Sequence, residues 1–184
     1  MPIPANWLEE LVIEWLDLEG FLISTSVFVP AKGGGRLAPD VVGAKRHDNG
    51  GIRIRHCEAS MFLIDAPGKV AGTYVAKFSE KVEKEVRRRF DKVLDVRGTD
   101  HVEYEKLIIT FYASKNVVEA LTKTVPGVKI LFLKDFIRDE VLKTIRGWKQ
   151  PPRTKATTMP ADKWILDLID RFEKFGLLAN EITK

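Results

Sequence analysis

Asp40, Glu58 and the residues around them are the part of this chain whose types and spacing could do chemistry. Asp40 follows Pro39 and opens the short apolar stretch DVVGAK (40–45). Glu58 lies inside IRIRHCEASMFLI (52–64), where residue types alternate. Both stretches read as β-strands, and the Asn-Gly turn signal in RHDNGG joins them as a hairpin. Adjacent strands run about 4.8 Å apart, so two carboxylates carried on them can converge on one divalent cation. Mg²⁺ takes hard oxygen ligands and keeps several waters. Such an ion activates water and offsets the charge developing on a phosphate under attack. The strand period of two puts Ile52, Ile54, His56, Glu58 and Ser60 on one face, and Arg53, Arg55, Cys57, Ala59 and Met61 on the other.

Each of these residues also has a plainer reading. Asp40 after a proline suits a turn in which its carboxylate bonds the backbone. A carboxylate buried in an apolar strand needs a partner, and for Glu58 that is Arg53, Arg55 or a neighbouring helix. His56 reads as an ordinary strand histidine, and Cys57 as a small buried hydrophobe. The loop Lys32-Gly33-Gly34-Gly35-Arg36 lacks the Gly-Lys-Ser/Thr of a phosphate-binding P-loop. It is either a surface loop or a DNA-contacting loop beside Asp40.

The elements that must position these residues follow from periodicity. Residues 5–19 carry Trp7, Leu8, Leu11, Val12, Trp15 and Leu18 at helical spacing, with Asn6 as N-cap and Gly20 as stop. FLISTSVFV (21–29) reads as a strand, and DAPGKVAGT (65–73) as a loop. Residues 77–96 form a helix opened by Lys77, with Phe78, Val82, Val86 and Phe90 in its buried stripe. A strand (104–114), a helix, a strand (128–133) and a further helix follow. This second half is a β-α-β unit, which calls for parallel strands and a crossover helix. The first three strands read as an antiparallel meander. The chain therefore belongs to the α/β class, with a mixed β-sheet flanked by helices. Residues 1–148 form the main domain, 149–160 a polar Pro-rich linker, and 161–184 a C-terminal helical extension.

In that order of elements the sequence resembles the PD-(D/E)xK nuclease superfamily. Pro39-Asp40 and Glu58-Ala59-Ser60 stand where its motif falls. LEELVIEWLDLEGFLI is similar to the opening of archaeal Holliday junction resolvases, and KLIITFYASKNVVEALTKTVPGVKILFLKDF to the strand-helix-strand of Mrr-like endonuclease domains. The resemblance implies a restriction-endonuclease-like fold and a nucleic-acid-acting protein, a deoxyribonuclease dependent on Mg²⁺ or Mn²⁺ or a degenerate relative of one. It implies metal ligation by Asp40 and Glu58 with help from Glu9, and DNA as partner. Relatives are commonly homodimers, a role open to the last helix.

The departure is Ser60, where the family pattern has a lysine. A serine holds no positive charge beside an attacking water. Lys77 and Lys45 are the nearest replacements, although Lys45 lies an odd number of residues from Asp40 and should face the other way. His56 is a further candidate for the missing function. Lys32, Arg36, Lys45 and Arg46 are expected to contact phosphates. The alternative is a non-catalytic DNA- or protein-binding module on the same scaffold.

Composition sets the outer bounds. The 184 residues carry a net charge of +4, mildly favourable to a nucleic-acid partner. One cysteine and three histidines exclude a cysteine-built zinc site and make histidine-rich metal chemistry a poor fit. No apolar run approaches the roughly 20 residues of a membrane span, and the N-terminus has no signal-peptide pattern, so a cytoplasmic location is expected. A single glutamine amid abundant Lys, Arg and Glu leans towards a thermophile source.

Overall fold

The computed structural model describes residues 6–25, 27–30, 36–47, 50–91, 93–96, 101–150 and 159–178. Helix α1 (Trp7–Leu18) starts where Asn6 accepts hydrogen bonds from the Leu8 and Glu9 amides, at 2.9 and 3.1 Å. These satisfy two of the orphan donors of a helix start. Its buried stripe is Leu8, Leu11, Val12, Trp15 and Leu16, while Trp7, expected inside, is exposed.

Strands β1 (Leu22–Ser24), β4 (Val41–Arg46), β5 (Ile52–Leu63), β6 (Val102–Ala113) and β7 (Val128–Phe132) form one sheet in the order β1-β4-β5-β6-β7. The β1-β4 and β4-β5 pairs are antiparallel, and β5-β6 and β6-β7 are parallel. The meander and the β-α-β unit are therefore both present. The stretch 21–29 is not one strand, because its polar centre breaks it. Its far end, β2 (Val29–Pro30), pairs with β3 (Arg36–Leu37) in a separate ribbon.

Helix α2 (Pro67–Lys77) corrects the loop reading of DAPGKVAGT. A proline and two glycines hide it in the sequence. Pro67 occupies the first turn, where a missing N–H costs nothing. Val70, Ala71 and Tyr74 recur on one face and are buried. Packing outweighs weak local propensity here. Lys77 therefore closes α2 instead of opening the next helix, α3 (Glu80–Asp91).

Helix α4 (Lys115–Thr124) makes the crossover between β6 and β7. The chain then runs without a break through α5 (Leu133–Asp135), a π-helical stretch (Phe136–Val141) and α6 (Leu142–Trp148). Helix α7 (Trp164–Lys174) packs on α1, with Ile165, Leu166 and Ile169 in the same core as Leu8 and Leu11.

Helices thus cover both faces of the sheet. On one face α1, α6 and α7 bury Val41, Cys57, Ala59, Leu107 and Ile109. On the other, α3 covers Val42, Ala44, Ile52 and Ile54, and α2 with α4 covers Leu63, Ile108 and Ala113. Gly43 marks the close approach of the sheet to α1 and the turn after it. A Cβ there would lie 3.1 Å from Leu16 Cδ1 and 3.2 Å from Phe21 Cβ. No helix among the described residues is long and apolar enough to cross a membrane.

Candidate active site

Asp40 immediately precedes β4, and the β4-β5 register ends at Val41 opposite Cys57. One step further, Asp40 faces Glu58. Where the ladder stops, the Asp40 side chain continues it, because Oδ2 accepts the Ala59 amide at 2.9 Å. The other oxygen, Oδ1, accepts a hydrogen bond from Lys77 Nζ at 3.1 Å. The same ammonium donates to Glu58 Oε2. Lys77 reaches both carboxylates from the last turn of α2. The ion-pair reading of Glu58 is realised through a neighbouring helix, with Lys77 and not a strand arginine as the cation, whereas the Asp40 carboxylate bonds across to β5 and to Lys77 in place of a local turn.

Glu58 is fully buried. Its second oxygen, Oε1, lies 2.9 Å from His56 Nε2, and His56 Nδ1 lies 2.9 Å from the Tyr104 hydroxyl. The His56 ring packs against Phe78 with centroids 4.5 Å apart. Burial, aided by Lys77, lowers the His56 pKa to about 3, so the imidazole is neutral at neutral pH. A neutral ring beside an acceptor-only carboxylate carries its proton on Nε2 and donates it to Glu58, leaving Nδ1 to accept from Tyr104. His56 is itself fully buried, and through this bond it orients Glu58.

Burial raises Glu58 to about 6, against the pull of Lys77. Asp40 is also raised, by burial first and the Glu58 charge second. Burial works to lower Lys77, but Glu58 and Asp40 raise it further, so it stays an ammonium and is no base at neutral pH. Two carboxylates, one ammonium and a neutral imidazole leave the cluster with one net negative charge.

Ser60, on the face of Glu58, shares a hydrogen bond with Tyr74 and donates to the Phe62 carbonyl at 3.4 Å. Beside it lies a hollow of about 380 Å³ lined in part by Phe62, Lys69, Thr73 and Tyr74. The rings of Phe62 and Phe111 meet edge-on at 5.8 Å, and both are exposed. A larger hollow, about 510 Å³, opens on the opposite face by Glu19, Arg55 and Thr144. Its buried Arg55 is already paired with Glu19 at 2.5 Å and Glu105 at 2.9 Å, so it has no charge to offer a ligand.

The other expected site residues are not gathered here. Glu9 lies on α1, which packs on the Cys57 and Ala59 face, and its carboxylate accepts from the Asn6 side chain at 2.9 Å. Among the described residues, no group of three or more His, Cys, Asp and Glu is arranged to hold a metal. Lys45 sits on the α1 face, as strand parity requires, and Nζ donates to the Glu19 carbonyl at 2.6 Å. Arg46 donates to the carbonyls of Gly50, Leu94 and Asp95 at 2.7–3.0 Å, pinning the hairpin turn to the turn that follows α3. Lys32 lies outside the described residues, as does the side chain of Arg36.

Two tyrosines were missed in the sequence. Tyr74 is hidden with the rest of α2. Tyr104 stands in a strand where only its half-buried hydroxyl, bonded to His56, marks it. Comparison with protein families, curated proteins and solved structures returned no match.

Proposed function

We propose that Asp40, Glu58 and Lys77 form the active site of a divalent-metal-dependent nuclease of restriction-endonuclease-like type, acting on nucleic acid and foremost on DNA. The observation that carries this reading is the position of Lys77. A cation supplied from α2 stands against both carboxylates, and makes good the charge that Ser60 cannot provide in the motif.

Asp40 and Glu58 offer hard carboxylate oxygens from neighbouring positions, and their residual negative charge attracts a cation. The donor set fits Mg²⁺ or Mn²⁺, and Mg²⁺ ordinarily fills the rest of its shell with water. Such an ion supplies an activated water and charge neutralisation at phosphate. The protein's own part is positional. His56 and Tyr104 hold Glu58 in one orientation. Lys77 keeps a fixed positive charge where phosphate charge develops, as preorganised electrostatic stabilisation requires. Phe62 and Phe111 offer ring faces to bases at the edge of the site.

The same Lys77 contact favours a second reading, a non-catalytic DNA- or protein-binding module in which the ammonium is a permanent counter-ion.

The two readings separate in a cleavage assay on linear, supercoiled, single-stranded and branched DNA with Mg²⁺ and Mn²⁺. Metal-dependent cleavage lost in Asp40→Ala, Glu58→Ala and Lys77→Met supports the nuclease. Folded protein that binds DNA and never cuts supports the module. An Asp40→Ala protein that cuts at the wild-type rate ends the nuclease reading. Metal binding is checked by melting: at 100 times Kd an ion adds about 2.7 kcal/mol, worth roughly 5–10 °C in a chain of this size.

A further inference from the structure

Each carboxylate of the cluster has one oxygen committed to the protein. Asp40 Oδ2 accepts the Ala59 amide at 2.9 Å, and Glu58 Oε1 lies 2.9 Å from His56 Nε2. Asp40 Oδ1 and Glu58 Oε2 are the oxygens left for a cation, and Lys77 Nζ bonds them both. A divalent ion needs the same two, because carboxylate oxygens are what Mg²⁺ takes from a protein. An ion shared by both oxygens takes the place where Nζ stands. Two cations at such short range in a half-buried site repel strongly. Lys77 and a metal ion therefore exclude each other.

The surroundings allow Lys77 to leave and the carboxylates to stay. The Ala59 amide holds Asp40, and the His56 ring, itself bonded to Tyr104, holds Glu58. The Glu58 side chain is wholly buried, whereas those of Lys77 and Asp40 are 24% and 22% exposed. The ammonium thus has water on one side, and it sits on a flexible four-carbon stem. Thr73 and Lys69 stand one and two turns back along α2, on the same face as Lys77. Both line the hollow beside Ser60. An ammonium that lets go of the carboxylates has the mouth of that hollow within its sweep.

We propose that Lys77 is a displaceable counter-ion, expelled towards this hollow when a divalent cation enters between Asp40 and Glu58. The inference rests on the nuclease reading and adds its regulation. The free protein holds its metal site shut with its own cation. Metal entry unlocks that cation and leaves it on α2 to meet a substrate phosphate, with which an ammonium forms charge-assisted hydrogen bonds. Lys77 on this account opposes metal binding, although catalysis needs it.

Mn²⁺ alone is the first probe. Its binding to the full chain is read at fixed ionic strength from the electron paramagnetic resonance signal of the free ion. Lys77→Met is expected to bind Mn²⁺ about tenfold or more tightly than wild type, within the ordinary range of such couplings. Lys77→Arg keeps the charge and is expected to show no gain. Asp40→Asn added to Lys77→Met is expected to abolish the gain, which places it at this site. Circular dichroism checks that each variant is folded. A second measurement uses the wild-type protein with ¹³C-labelled lysine. The Lys77 ¹³Cε resonance, assigned by its absence from Lys77→Arg, is expected to move towards the position of exposed lysines as Mg²⁺ is added. Folded Lys77→Met that binds Mn²⁺ no tighter than wild type overturns the displacement, as does a Lys77 resonance unmoved at saturating Mg²⁺. In either case binding that Asp40→Asn still removes leaves the metal site of the nuclease reading standing. Mn²⁺ bound by neither wild type nor Lys77→Met overturns both.

Discussion

Lys77 Nζ lies 3.1 Å from Asp40 Oδ1, thirty-seven residues away in sequence, and contacts Glu58 with the same ammonium. One cation from α2 thus ties together two strands that meet at the end of their ladder. The charge balance of the site rests on it.

Lys77→Met leaves the buried Glu58 and the half-buried Asp40 without this counter-charge. Breaking such a pair from one side costs about 2–4 kcal/mol, at the lower end because Lys77 is partly exposed. Lys77 lowers the pKa of both carboxylates, so removing it raises them. The deficit is therefore expected to be smaller at pH 5, where the pair takes up a proton, than at pH 8. Urea unfolding at both values checks this, and an equal loss at both would refute it.

Glu58 and His56 give opposite pH slopes to stability. Glu58 titrates at about 6 when folded against an ordinary 4.5. Its contribution is complete below about 4.5 and lost as pH rises through 6. His56 is lowered to about 3 from 6.5. Its contribution is complete above 6.5 and lost as pH falls towards 3. Between pH 4.5 and 6 the two offset each other. Glu58→Gln deletes only the first slope. The variant is expected to gain stability steadily from pH 4.5 to 6.5, where the wild type is flatter. Denaturation midpoints across that range decide it, and parallel profiles would count against the assignment.

Tyr104→Phe removes the hydroxyl that His56 Nδ1 accepts. A buried acceptor left unsatisfied costs about 1–2 kcal/mol. If Glu58 holds a metal, losing this supporting bond should also weaken metal affinity on the order of tenfold. Calorimetric titration with Mn²⁺ reads that effect, and the imidazole ¹⁵N shifts report the tautomer directly.

Gly43→Ala places a Cβ 3.1–3.2 Å from Leu16 and Phe21 side-chain atoms. Overpacking of that kind costs about 1–3 kcal/mol. Melting is expected to drop while secondary structure is retained. An unchanged melting temperature would mean that α1 yields more easily than the packing suggests.

The sequence by itself determined the sheet and half of the site. A period of two in 52–64 and a turn signal at 47–51 suffice to place Asp40, at the head of one strand, beside Glu58 on the next, because alternation and hairpin register are local properties. Asn6 capping α1 and Lys45 facing away from Asp40 follow from equally local rules. Tertiary structure alone decided the rest. Helix α2 exists because Val70, Ala71 and Tyr74 find a core to bury in, despite glycines that argue against a helix, and Lys77 reaches the carboxylates only because α2 does. Lys45 and Arg46 look like free cations in the sequence, yet backbone carbonyls from the end of α1 and from residues 94 and 95 take them up. Nothing in a chain of letters marks which cation is spent in this way. A charged side chain pairs with whatever the fold brings within a few ångströms, and those neighbours are set by packing between distant segments.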